Sequence, residues 1–166
     1  MSDSLIVIDA GEVLSPFERY APGRVVIRNG RIEAVGLVSD VGITGEATRC
    51  ELPHLTIVPG FIEPHVHGSS GFDVMDATWE TMTVISRKLA AHGTTAFLPT
   101  TVSASIDTLN ATIDRLSGII GKTFEGAQPL GIHLEGPFIN PVTRGTHRQT
   151  AIHKPDAGRL ADWVRR

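Results

Sequence analysis

Residues 55–68 read LTIVPGFIEPHVHG. Pro59-Gly60 breaks the apolar alternation of Leu55–Val58, and the rhythm of the chain differs on its two sides. Before the break the pattern is β. SLIVID is a short apolar run, and RVVIRNGRIEAVG is two short strands joined at Asn29-Gly30, the strongest short-range hairpin signal. Residues 1–58 are therefore expected to form part of a small β-rich, sandwich-like domain.

After the break, strands alternate with helices. FIEPHVH is strand-like. ATWETMTVISRKLAAHG predicts a helix, with Met82, Ile85, Leu89 and Ala90 at helical spacing and His92-Gly93 as its stop. TTAFLPTT is a β-branched, buried-type strand. Ile106 to about Ile120 predicts a second helix with Leu109, Ile113, Leu116 and Ile120 on one face. PLGIHLEGPF predicts a third strand, and KPDAGRLADWVRR opens a further helix. This order predicts βαβ units, a parallel sheet and an α/β fold. At roughly 30 residues per βαβ unit, residues 59–166 hold the first three or so βα units. A closed (β/α)8 barrel of the TIM type needs ~250 residues, so only its start is expected here.

Composition narrows the function classes. The 166 residues are 41% hydrophobic and 20% charged, with a net charge of −3, which is ordinary for a soluble globular protein. Phosphate-backbone binding needs clustered Lys and Arg, so nucleic acid is not the expected partner. No apolar run is long enough to cross a bilayer, and MSDSLIVIDAGEV lacks the charged start and long apolar core of a signal peptide. A single cysteine, Cys50, allows no intrachain disulfide, and the cytoplasm is the expected location.

Side chains at i and i+2 of a strand share a face, so His65 and His67 project together. They end the first parallel strand, where barrel active sites are built, and glycines follow. Imidazole commonly ligates zinc, iron and related ions. The pair reads as a metal site or, equally, as two strand-end histidines bonded to loop backbone. His133 and Glu135 in HLEGPF share a face in the same way. Glu135 either ligates a metal or pairs with a Lys or Arg at the strand mouth, since a lone carboxylate in apolar surroundings is costly. His147, in RGTHR, is either a substrate contact or part of a solvated polar loop. His92 reads as a helix cap, and His54 and His153 have no evident partner. Thr94, Thr95, Thr100 and Thr101 are expected to serve strand propensity and strand-end bonding.

PGFIEPHVHG, GTTAFLPTT and GIHLEGPFINPVTRGTH, in that order, resemble the amidohydrolase superfamily. HLEGPF followed by RGTH is similar, more narrowly, to its N-acetylglucosamine-6-phosphate deacetylases. The resemblance implies a (β/α)8 barrel with a small β-sandwich. It also implies metal-dependent removal of acetate from N-acetylglucosamine 6-phosphate, giving glucosamine 6-phosphate. N-acetylgalactosamine 6-phosphate, another amide, or a non-catalytic fragment or subunit are the alternatives. Carried over by position, Glu135 would ligate the catalytic divalent metal, with zinc the first expectation and iron, manganese or cobalt alternatives. His65 and His67 would bind a second metal, making one or two per site. His147 would contact the substrate's amide carbonyl. The family's acid/base aspartate and two further metal histidines lie on later strands, so they are expected beyond Arg166. The 166 residues alone are not expected to be active. The implied partners are an amino sugar phosphate and a second copy in a homodimer, or the remainder of the barrel.

Overall fold

The structure is a computed structural model that describes residues 4–166. It divides into two compact units, one ending at Pro59 and one starting at Gly60. The first is all β: β1 (Leu5–Leu14), β2 (Arg19–Tyr20), β3 (Gly23–Arg28), β4 (Arg31–Leu37) and β5 (Thr48–Ile57). β1 pairs antiparallel with β3 along one edge and parallel with β5 along the other, and β3 pairs antiparallel with β4. The β3–β4 hairpin turns at Asn29 (φ 52°) and Gly30 (φ 76°), as Asn-Gly predicts, because two consecutive positive φ values match the strand twist. β1 is longer than SLIVID suggests. Its register shifts between Ala10 and Glu12, which reverses the face that its later residues bury. Leu5 and Val7 pack with Val26 in one cluster, whereas Ala10 and Val13 pack with Val25 in another.

The second unit contains β6 (Phe61–Val66), a two-stranded ribbon of β7 (Gly68–Ser69) and β8 (Phe72–Asp73), α1 (Trp79–Ala90), β9 (Thr94–Thr101) and α2 (Ile106–Ser117). β10 (Gln128–Pro129), β11 (His133–Leu134) and α3 (Ala157–Val164) follow. β9 is central. Ala96 pairs with Ile62 of β6 on one side and with Gln128 of β10 on the other, both in parallel. The predicted third strand is interrupted. Its two pieces pair with β9 on either side of Leu130–Ile132, where Pro129 has no N–H to donate and Gly131 adds no side chain. α2 ends at Ser117, three residues short of Ile120, with Gly118 as its C-cap.

Both helices bury most of the expected stripe, but Ala90 at the end of α1 is exposed and Ile120, beyond α2, is only half-buried. Met82 and Ile85 of α1, with Phe97 of β9, Leu116 of α2 and Phe124, form the main core of this unit. Leu109 and Ile113 pack with Trp163 of α3 in a second cluster. Thr78 starts α1 with a reciprocal capping box to Thr81, satisfying two otherwise unpaired N–H groups. This is an α/β fold with a parallel four-stranded sheet, β6, β9, β10 and β11, and its described residues form no closed barrel. The C-terminal ends of β6, β9 and β11 lie together, and the polar residues gather there. No described helix is long and apolar enough to cross a membrane.

Candidate metal centre

His65 and His67 lie at and just beyond the end of β6, and Glu135 follows β11 directly. The parallel register through β9 brings these ends together. His67 Nε2 is 3.0 Å from His65 Nε2 and 3.0 Å from Glu135 Oε2, and His65 Nε2 is 3.8 Å from the same oxygen. The other oxygen, Oε1, is 3.5 Å from His147 Nε2. One carboxylate therefore faces the histidine pair with one oxygen and the loop histidine with the other. The alternative Lys or Arg partner is not there: among the described residues, the cationic-type groups within 4.0 Å of Glu135 are these three histidines.

The hydrogen bonds fix which ring nitrogens carry protons. His67 Nδ1 lies 3.1 Å from the Thr100 carbonyl, which can only accept, so Nδ1 donates and a neutral ring keeps its Nε2 lone pair. At His67 the two readings thus apply to different atoms, Nδ1 bonding backbone and Nε2 facing the cluster. A metal-ligating histidine is oriented in this way. At His147 the polarity is reversed. The Ser103 backbone N–H donates to Nδ1 at 3.3 Å, so the proton of the neutral ring sits on Nε2. The His147 side chain is only 11% exposed, turned inward from a loop in which its neighbours Thr146 and Arg148 are exposed.

The three side chains His65, His67 and Glu135 can hold one ion. Their ligand atoms all lie within 4.8 Å of one another. A triangle with the sides given above, 3.0, 3.0 and 3.8 Å, has a circumscribed radius of about 1.9 Å, and zinc bonds to imidazole nitrogen and carboxylate oxygen are about 2.0–2.2 Å. The donor set, two imidazoles and a carboxylate, suits zinc and its first-row neighbours.

A cleft of about 750 Å³ opens beside the cluster, lined by His67, Glu135, Ser103, Ser105, His147 and Arg148 among others. A second cleft of about 490 Å³ lies across Glu135 and His147, against Asn140 and Arg144. A more apolar groove between α2 and α3 carries no titratable cluster. His133 lies with its ring centroid 5.1 Å from that of His65. His92 Nδ1 pairs with the Lys88 carbonyl at 2.8 Å, closing the end of α1 away from the cluster. His54 lies in β5 of the other unit. The His153 backbone N–H bonds the Pro137 carbonyl in the turn after Glu135.

Two residues in the surroundings of the cluster do more than local sequence singles out, although strand-end bonding is expected of Thr100 alongside Thr94, Thr95 and Thr101. Thr100, completely buried, bonds β6, β9 and β11 at once. Ser103 packs against Gly136 and orients His147, a contact across 44 positions that no local pattern encodes.

The sequence model of the amidohydrolase family matches residues 56–164. The N-acetylglucosamine-6-phosphate deacetylase of Vibrio furnissii is 37% identical over 162 residues, covering 98% of this chain and 35% of its own length. The N-acetylgalactosamine-6-phosphate deacetylase of Escherichia coli O157:H7 is 37% identical over 91 residues, 55% of this chain and 24% of its own length. Among solved structures, the Mycobacterium smegmatis N-acetyl-D-glucosamine-6-phosphate deacetylase D267A mutant, in complex with N-acetyl-D-glucosamine-6-phosphate, superposes with a TM-score of 0.79. It is 27% identical and covers 98% of this chain and 40% of its own. The chain thus spans little more than a third of the length of its relatives.

Proposed function

The chain belongs to the amidohydrolase family, and from that membership we propose that it supplies one face of the active site of a metal-dependent sugar-phosphate deacetylase. The reaction is hydrolysis of the N-acetyl group of N-acetylglucosamine 6-phosphate. The observation that carries this reading is the double-faced Glu135, one oxygen toward His65 and His67 and the other toward a His147 whose proton is on Nε2. Names of relatives covering nearly the whole chain support the substrate. The relative named for N-acetylgalactosamine 6-phosphate keeps that sugar as the second reading. The barrel of the superfamily, completed by strands other than those described, is part of the same proposal, as is zinc as the resident metal.

An amide is a poor electrophile and water a poor nucleophile at neutral pH. A divalent metal held by Glu135, His65 and His67 would supply Lewis acidity and lower the pKa of bound water toward ~7. The chain's own residues do the rest of what this face can do. Glu135 contributes negative charge that retains a cation. His67, oriented through its Nδ1–H, keeps its Nε2 lone pair directed at the cluster. His147 presents an N–H toward the cleft, where it can donate to the substrate's amide carbonyl as charge grows on that oxygen. The general acid/base is not among these groups; by resemblance it is an aspartate of a later strand.

The test is acetate release by the whole protein from both sugar phosphates, before and after chelation and after addition of zinc. Release from N-acetylglucosamine 6-phosphate that chelation abolishes and zinc restores is the expected result. Faster release from the galactosamine isomer would select the second reading, and no metal-dependent release from either would reject both.

A further inference from the structure

The β6–β9 ladder has an irregularity directly under the histidine pair. Glu63 pairs with Phe97 but Val66 with Pro99, so β6 carries one extra residue between them. Both strands have proline there, Pro64 and Pro99, and neither can donate a ladder bond. The Val66 N–H would be stranded in a buried position. Instead the Thr100 hydroxyl accepts it at 2.9 Å. That hydroxyl also donates to the Leu98 carbonyl at 3.0 Å and lies 3.3 Å from His133 Nδ1. The carbonyl of the same residue takes the His67 Nδ1–H at 3.1 Å. Thr100 itself has no exposed surface.

We propose that Thr100 is a positioning residue for the metal centre, setting both His65 and His67 through its hydroxyl and its carbonyl. The inference rests on the reading of the pair as metal ligands. Val66 is the peptide between the two histidines, so the bond to its N–H fixes the direction in which both leave the strand. The carbonyl fixes the His67 tautomer. A β-branched residue is suited to this, because its methyl group fills the apolar side of the strand while its hydroxyl replaces the missing ladder acceptor. Outer partners of this kind commonly change metal affinity 10–100-fold when removed.

The test uses the whole protein and zinc alone, with affinity read by competition against a chelator. Thr100→Val keeps shape and removes the hydroxyl; Thr100→Ser keeps the hydroxyl. The expected result is a loss of about 10–100-fold for Thr100→Val and recovery of most of it in Thr100→Ser. Equal zinc affinity in Thr100→Val and the unaltered protein overturns the proposal, as does a Thr100→Ser variant as weak as Thr100→Val. If Thr100→Val does not fold, nitrogen NMR of the unaltered, metal-free protein with neutral imidazoles decides. A proton on His67 Nδ1 supports the assignment, and a proton on Nε2 overturns it. An unaltered protein that binds no zinc rejects the metal reading itself, a failure distinct from a Thr100 variant that binds as well as its parent.

Discussion

Gly136 follows Glu135 immediately and has φ +84°, in the left-handed region. A Cβ built there would meet Ser103 Oγ at 2.0 Å and Ser103 Cβ at 3.3 Å. Gly136→Ala should therefore cost twice. Holding an alanine at positive φ costs about 1–2 kcal/mol, and forcing one extra carbon against a packed side chain adds about 1–3 kcal/mol. The expected loss of stability is thus about 2–5 kcal/mol, the sum of those two contributions. Ser103→Ala alone should be close to neutral, within about 0.5 kcal/mol, because the Ser103 hydroxyl is buried with no hydrogen-bond partner among the described residues. In the double variant the atom at 2.0 Å is gone and only the 3.3 Å contact remains, so the packing part should be recovered while the φ cost stays.

The measurement is a double-mutant cycle on urea unfolding of the four proteins, with zinc affinity measured alongside. A coupling of about 1–3 kcal/mol is expected, with zinc binding weakened in Gly136→Ala and largely restored in the double variant. Relief of the clash lets Glu135 return toward His67. Additive stabilities would refute the packing argument. Stability lost with zinc affinity untouched would refute the claim that the turn after Glu135 holds its carboxylate in place.

His147→Asn should lower kcat of the whole protein by about 10²–10³-fold, as loss of a donor to a developing oxyanion does, with bound metal unchanged on elemental analysis. Loss of metal together with activity would instead make His147 part of the metal's support. In the β unit, the hydrogen bond from Arg24 holds the Asp9 carboxyl below its ordinary range, while burial opposes the shift. A folded pKa below the unfolded one means that this stabilisation is fully present above about pH 4 and fades as pH falls through the folded value. Arg24→Met should remove that acid-side slope in unfolding experiments, and an unchanged slope would assign it to other carboxylates.

Local chemistry made several features readable from sequence. Asn29-Gly30 could only be a tight hairpin, because few residue pairs accept two positive φ values. The helical stripes of α1 and α2 follow from spacing. Glu135 stood out as a carboxylate where an apolar strand end was expected. What sequence hid depends on register. PLGIHLEGPF has the composition of one strand, yet Pro129 and Gly131 split its pairing with β9 into two pieces. Thr100 and Thr101 are adjacent and alike in sequence. Thr100 alone lies against the irregular stretch of β6, whereas the hydroxyl of Thr101 is buried without a partner among the described residues. Nothing in the TTAFLPTT string separates them, because the difference is made by a bulge in another strand.

The cluster holds more acceptors than protons to fill them. The Thr100 carbonyl takes the proton of a neutral His67 at Nδ1, so its Nε2 is an acceptor. An ionised Glu135 Oε2 is also an acceptor, and the two stand 3.0 Å apart with no proton between them. His65 can bring at most one proton on Nε2, and that proton can reach only one neighbour, His67 at 3.0 Å rather than the oxygen at 3.8 Å. At least one acceptor pair therefore remains face to face. His147 does not relieve it, since its nearest approach to the carboxylate is to Oε1, at 3.5 Å. A protonated His67 would satisfy its contact with Glu135 as an ordinary ion pair and leave the other ring nitrogen of the pair to be matched by His65. A single cation held by His65, His67 and Glu135 would match all three donor atoms at once, and the arrangement of these donors is compatible with a metal site.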